Sequence, residues 1–195
     1  MQLVTIDDIR AAADRIRGSV VRTPLLSAPW GDPERPLWIK PESLQAIGAF
    51  KVRGAFNAIG HLDAATRARG VVAYSSGNHG QAVAYAAAAY DIAAYIVMPE
   101  ETPDVKVAAT RSHGAEVVLC AAGQREKVAE EVVARTGAVL VPPFDHPDVI
   151  AGQGTIGLEI AEDLPEVATV LIPLSGGGLA SGIGTRSRRC VHTPA

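Results

Sequence analysis

Gly70-Val-Val-Ala-Tyr-Ser-Ser-Gly-Asn-His-Gly-Gln-Ala-Val-Ala-Tyr-Ala-Ala-Ala-Ala-Tyr-Asp-Ile-Ala-Ala-Tyr-Ile-Val-Met98 holds two short apolar runs, 71–74 and 93–98, on either side of an alanine-rich stretch, 81–90. Each run is short enough for a buried strand, and the alanines favour a helix between them. A strand, a helix and a second strand predict parallel pairing through a right-handed crossover. Outward toward the C-terminus the alternation continues. A helix is expected over 104–112, with Pro103 before it and Gly114 after it. A strand at 116–120, a helix at 124–135 and a strand at 138–141 follow, and Pro142-Pro143 interrupts them. Beyond lie a helix at 156–163 and a strand at 168–172. Toward the N-terminus, 50–68 reads as a helix stopped by Gly70, and 37–40 as a short strand. The four prolines in 23–36 mark an extended connection. Thr5 with Asp8 signals a capped helix, carried by Ile6, Ile9, Ala13 and Ile16 and ending near Gly18. The whole pattern is that of an α/β fold with a parallel sheet.

The 195 residues allow one to two domains at about 150 residues each. With 48% apolar and 20% charged residues, a disordered chain is excluded. Eighteen basic against 21 acidic residues leave a net charge of −3, which argues against a nucleic-acid or membrane-surface binder. Cys120 and Cys190 have neither metal-like spacing nor a disulfide framework, so a reducing cytoplasm is the expected compartment. The N-terminus lacks an apolar signal core, and no run reaches the roughly 18 apolar residues of a membrane span. No zinc pattern or nucleophile elbow occurs, and no metal site is expected.

Three segments can carry chemistry. In Gly48-Ala-Phe-Lys-Val-Arg-Gly54, Lys51 opens a predicted helix, where the positive end of the dipole favours a neutral, nucleophilic amine. Taken alone it is an ordinary solvated lysine. Tyr74-Ser-Ser-Gly-Asn-His-Gly80 lies between a strand and a helix, where parallel sheets bind ligands, and its amides and hydroxyls suit a carboxylate. Taken alone it is a helix cap. In Ser175-Gly-Gly-Gly-Leu179, three glycines between a strand and a helix form a cradle for phosphate, without the lysine of a nucleotide P-loop. Gly152-Gln-Gly-Thr-Ile-Gly157 matches a dinucleotide pattern by letters only. No convincing strand precedes it and no acidic residue lies about 20 residues on, so it reads as a loop and helix start.

In order and at plausible spacing, these segments resemble the serine/threonine dehydratase and serine racemase group of pyridoxal-phosphate enzymes, fold type II. Arg22-Thr-Pro-Leu25, Lys40-Pro-Glu42, Gly48–Gly54, Ser75–Gln81, Pro143-Phe-Asp-His-Pro147, Gly152–Thr155 and Ser175–Leu179 carry the likeness from about residue 5 to 184. His79 after Asn78 resembles the dehydratases and racemases, since the related cysteine and cystathionine synthases usually have threonine there. The resemblance implies pyridoxal 5′-phosphate carried by Lys51, which would also move the Cα proton. It implies Phe50 beside the cofactor, Asn78 at its ring oxygen, and Ser175, Gly176, Gly177, Gly178 and Leu179 around its phosphate. It gives the substrate carboxylate to Ser75, Ser76, Asn78 and His79, and makes Ser76 the acid/base on the face opposite the lysine in racemases.

The implied activity is elimination of water from L-threonine or L-serine, giving a 2-oxo acid and ammonia. A serine or other small amino-acid racemase is the alternative, and a catalytically dead fragment the rival from another class. The implied architecture is a large domain, 1–69 plus 147–195, incomplete here, with a small α/β domain inserted at 70–146, and a homo-oligomer, a dimer, for the whole protein. Ile47 and Ala49 depart from the threonine and serine of many relatives. Family members exceed about 300 residues, and their later part supplies the partner of the pyridine nitrogen and, in some, a divalent metal. The stretch 185–195 has no amphipathic period and reads as a truncated or frame-shifted end.

Overall fold

In the computed structural model, residues 3–32 and 34–187 are described. The reading of the tail, with Arg188, Arg189 and Cys190, lies outside them. The central layer is a sheet of β3 (Val71–Tyr74), β4 (Ala94–Pro99), β5 (Glu116–Cys120) and β6 (Val139–Leu140). Its order is β5-β4-β3-β6 and every pairing is parallel. The register sets Val71 against both Ala94 and Val139, and Val97 against Val118. Because helices cover both faces, the first three β3 residues are all buried: Val71 and Ala73 join the core shared with α4 (Asn78–Ala89), and Val72 the one shared with α6 (Arg125–Thr136). The helix α5 (Asp104–Arg111) completes the α4 face.

A helical layer packs beside this sheet. It contains α1 (Ile6–Ile16), α2 (Lys51–His61), α7 (Pro147–Asp163) and α8 (Gly178–Ser187), with the one-turn α3 (Ala64–Arg67) leading into β3. The expected capping box holds α1: Asp8 N donates to Thr5 Oγ1 at 3.2 Å and Thr5 N donates to Asp8 at 2.8 Å. The long helix expected over 50–68 breaks at Leu62, where Asp63 caps α3 through Thr66 N at 2.9 Å. The helix α2 is buried from Val52 to Ile59 and packs on both α4 and α7.

Three further expectations are corrected. The helix expected at 156–163 starts at Pro147, so Gly152-Gln-Gly-Thr155 lies in a helix interior rather than a loop. The reason is contact: a Cβ on Gly152 would sit 2.6 Å from the Arg53 carbonyl oxygen, and one on Gly154 would sit 2.7 Å from Ile9. Glycine here lets α7 lie against its neighbours. The helix expected from Gln81 starts at Asn78, which draws Asn78 and His79 into its first turn. The strand expected at 168–172 does not form; the chain there is without strand pairing, and Leu171 is 84% exposed. An extended run needs a neighbour to take its backbone hydrogen bonds. Outside the main sheet, the described residues contain one further sheet, an antiparallel pair of β1 (Leu26–Ser27) and β2 (Trp38–Ile39). Among the described residues no helix is long and apolar enough to cross a membrane.

Candidate functional site

The start of α2 puts Lys51 in a half-buried position beside Phe50, with its amine 5.3 Å from the Phe50 ring centre. The Lys51 Nζ donates to the Pro143 carbonyl at 2.5 Å. Burial lowers its pKa below the usual lysine value, toward the neutral amine. The solvated lysine is therefore not what this position holds.

The turn Ser75–Gly77 leaves the carboxyl end of β3, with Ser75 N still donating to Val97 O at 3.1 Å. Ser75 Oγ accepts from Gly77 N at 3.2 Å, which folds the turn back before α4 begins. Ser75 and Ser76 are partly open and Asn78 is exposed, while His79 is buried. A Cβ on Gly80 would lie 2.9 Å from Ile96 and strike the Ser75 carbonyl, so glycine lets α4 start this close to the turn. The side chain of His79 is turned inward. Its Nε2 donates to the Val141 carbonyl at 2.8 Å, and its Nδ1 is buried without a partner. Burial first, and then the Lys51 charge, push its pKa down to about 4, so the ring is neutral at ordinary pH.

The Ser175–Gly177 turn precedes α8. Ser175 and Gly177 both take left-handed backbone, φ 43° and 86°, and Gly177 N donates to Leu174 O at 2.9 Å. A left-handed serine is costly and marks a turn whose shape is fixed by its surroundings. Those surroundings are Phe144: a Cβ on Gly176 would lie 2.5 Å from its ring, and one on Gly178 would lie 2.8 Å from its carbonyl oxygen. Leu179 and Phe50 share one apolar cluster with Ile156 and Ile183.

The three segments therefore meet around 141–144. Val141 takes the His79 bond, Pro143 the Lys51 bond, and Phe144 the glycine turn. This strap has no role in the sequence reading beyond its likeness. Its backbone carbonyls leave no residue-type signal, although Pro142-Pro143 marks a place where the chain is stiff. Also missed is a buried ion cluster. Arg53 donates to Glu42 at 2.8 Å and to Glu159 at 2.5 Å, and Lys40 reaches Glu159 at 2.6 Å. It ties 40–42 and α7 to the helix that carries Lys51. A separate groove of about 910 Å³ runs between β2 and 164–173. It shares Phe50 and Leu179 with the site but is not lined by Lys51, Asn78 or Ser76. Among the described residues no cluster of His, Cys, Asp or Glu suits a metal ion.

The family described as "Pyridoxal-phosphate dependent enzyme" matches residues 16–194. The chain is 47% identical over 188 residues to an L-threonine ammonia-lyase of Thermotoga maritima, covering 93% of this chain and 46% of that one. It is 41% identical over 190 residues to a serine racemase of Schizosaccharomyces pombe, covering 95% and 59%. The structure of maize serine racemase superposes with a TM-score of 0.94 at 41% identity, over 97% of this chain and 59% of that one. The chain thus spans about half the length of the curated relatives it matches.

Proposed function

Because the chain belongs to the pyridoxal-phosphate dependent enzyme family, we propose that its whole protein deaminates L-threonine or L-serine by way of water elimination, releasing a 2-oxo acid and ammonia. The observation that carries this reading is the meeting of the Lys51 amine and the triple-glycine turn on the two neighbours Pro143 and Phe144. The residues fit the cofactor on their own chemistry. A half-buried lysine with a depressed pKa suits a carbonyl. Three successive glycines, at the N-terminal end of the ten-residue α8, suit a phosphate. We assign Ser175, Gly176, Gly177, Gly178 and Leu179 to the phosphate, Asn78 to the ring oxygen, and Phe50 to the side of the ring.

When bound, pyridoxal phosphate supplies the electron sink that makes the substrate's Cα proton removable. Lys51 takes that proton, which requires its amine in the neutral form. Ser75, Ser76 and Asn78 hold the substrate carboxylate, orienting the Cα–H bond toward Lys51. The β-hydroxyl leaves as water, and hydrolysis of the resulting unsaturated amine takes one water back and releases ammonia, so the net change is amino acid to 2-oxo acid plus ammonia. The racemase reading rests on Ser76, which is partly open at the turn and carries a proton that could be delivered to Cα from the other face. We also propose that 70–146 is an inserted domain, a division supported by the sheet running from Val71 to Leu140.

The test is 2-oxo acid release from L-threonine and L-serine, with D-serine followed in parallel. Lys51→Ala should lower both activities to background, because among the residues brought together here Lys51 is the base. Near-normal turnover in Lys51→Ala would overturn the reading. Ser76→Ala should suppress D-serine formation far more than 2-oxo acid release if the protein racemises.

A further inference from the structure

The buried imidazole of His79 has a place in this geometry that substrate binding does not explain. The β3–β6 ladder ends at Val72 and Leu140. Val141 still donates its amide to Val72 O at 2.8 Å, and its carbonyl accepts from His79 Nε2 at 2.8 Å. Two residues later the Pro143 carbonyl accepts the Lys51 amine. Pro142 and Pro143 lie between the two bonds, and proline's fixed φ leaves the intervening chain little freedom. A displacement of the Val141 carbonyl is therefore passed to the Pro143 carbonyl. With 3% of its surface exposed, the His79 side chain offers nothing to a substrate from solvent.

We infer that His79 is a positioning residue: its Nε2–H bond to Val141 fixes the 141–144 strap, and the strap's Pro143 carbonyl in turn fixes the Lys51 amine. The inference rests on the reading of Lys51 given above and adds a residue that acts through the backbone. The tautomer follows from chemistry, since a carbonyl only accepts, so the proton sits on Nε2 and the buried Nδ1 is a bare lone pair. What the site uses is a neutral donor at the reach of Nε2. A glutamine amide supplies one and a leucine of similar bulk does not.

The experiment measures Lys51 itself. The purified chain is mixed with pyridoxal 5′-phosphate, reduced with borohydride at fixed times, digested, and the Lys51 peptide followed by mass spectrometry. Compared with the parent chain, His79→Leu should form the Lys51 adduct about tenfold more slowly, because misplacing a reacting group by even an ångström costs that much or more. His79→Gln should recover to within about threefold of the parent. A purely structural histidine would lower the unfolding temperature in both variants and leave the Lys51 rate alone. If His79→Leu is insoluble, His79→Asn replaces it, since its shorter amide does not reach Val141. Equal Lys51 labelling in the parent and the donorless variant overturns the inference and leaves the functional reading intact. Failure to recover with glutamine overturns it equally. A parent chain whose Lys51 is never labelled overturns both.

Discussion

Val71-Val-Ala-Tyr74 and Ala168-Thr-Val-Leu-Ile172 are near equivalents as sequence, yet the first is the heart of a sheet and the second forms no ladder. Val71, Val72 and Ala73 are 0% exposed, while Leu171 is 84% exposed. Both runs are apolar and both stand where an alternating pattern places a strand. The difference lies in neighbours. The first run has β4 on one side and β6 on the other, with α4 and α6 above and below. The second has α7 and α8 beside it in sequence and no strand to bond. A strand is thus a property of a pair, and an apolar run is only an offer of one.

The sharpest way to break this comparison is to put the same charge into both runs. Ala73→Asp buries a carboxylate in a site without polar partners and should cost at least about 4 kcal/mol, or abolish cooperative unfolding altogether. Leu171→Asp, on an exposed side chain, should shift stability by no more than about 0.5 kcal/mol. Urea denaturation followed by circular dichroism distinguishes them. Equal costs would mean that 168–172 is as well packed as β3.

The second contrast concerns what holds each half. The sheet is held by buried apolar side chains, whereas the helical layer also relies on charge. Arg53 is 0% exposed between Glu42 and Glu159. Replacing it by leucine leaves Glu42 without a charged partner and Glu159 with Lys40 alone, and should cost about 3–5 kcal/mol. Arg22 spans a similar gap, pairing with Glu162 and Asp163, but its side chain is half exposed. Arg22→Ala should cost less than about 1 kcal/mol. A small loss in Arg53→Leu, measured by the same denaturation, would show that the helical layer is held by its apolar and glycine contacts alone.

The legible parts of this molecule were those with local causes. Thr5 and Asp8 cap α1 by a bond spanning three residues, and Gly70 stops the chain before β3 in left-handed backbone, φ 85°. The strands at 71–74 and 116–120 follow from short apolar runs between helices. Lys51, Asn78 and the glycine turn stood out because their residue types carry chemistry. The early start of α7 was hidden, since Gly152 and Gly154 look like loop formers until Arg53 and Ile9 are seen to press on them. The strap was hidden for a different reason. Its contributions at Val141 and Pro143 are backbone carbonyls, which every residue has. The ion cluster was hidden because Lys40, Arg53 and Glu159 are distant along the chain, and nothing in the spacing of surface-type residues announces their burial.

His79 stands where the two halves join, at the start of α4 and against the end of β6, and its titration tests that junction. Its native pKa is about 4, against 6.5 for an unburdened histidine, chiefly because burial penalises the charged ring. A base with a depressed native pKa takes up its proton first in the unfolded chain. Its contribution to stability is therefore complete above pH 6.5, declines as the pH falls from 6.5 to 4, and does not decline further below that. The shift of 2.5 units corresponds to about 3 kcal/mol at most. Other groups titrate in the same window, so the informative quantity is the difference between the parent and His79→Gln, which keeps the donor but has no ring to charge. The two proteins should have similar stability above pH 6.5, and the parent should fall about 3 kcal/mol below the variant as the pH drops from 6.5 to 4. Urea midpoints taken at half-unit intervals read this directly. Parallel pH profiles would mean that His79 charges freely in the native state, and that its ring is not sealed between the sheet and the strap.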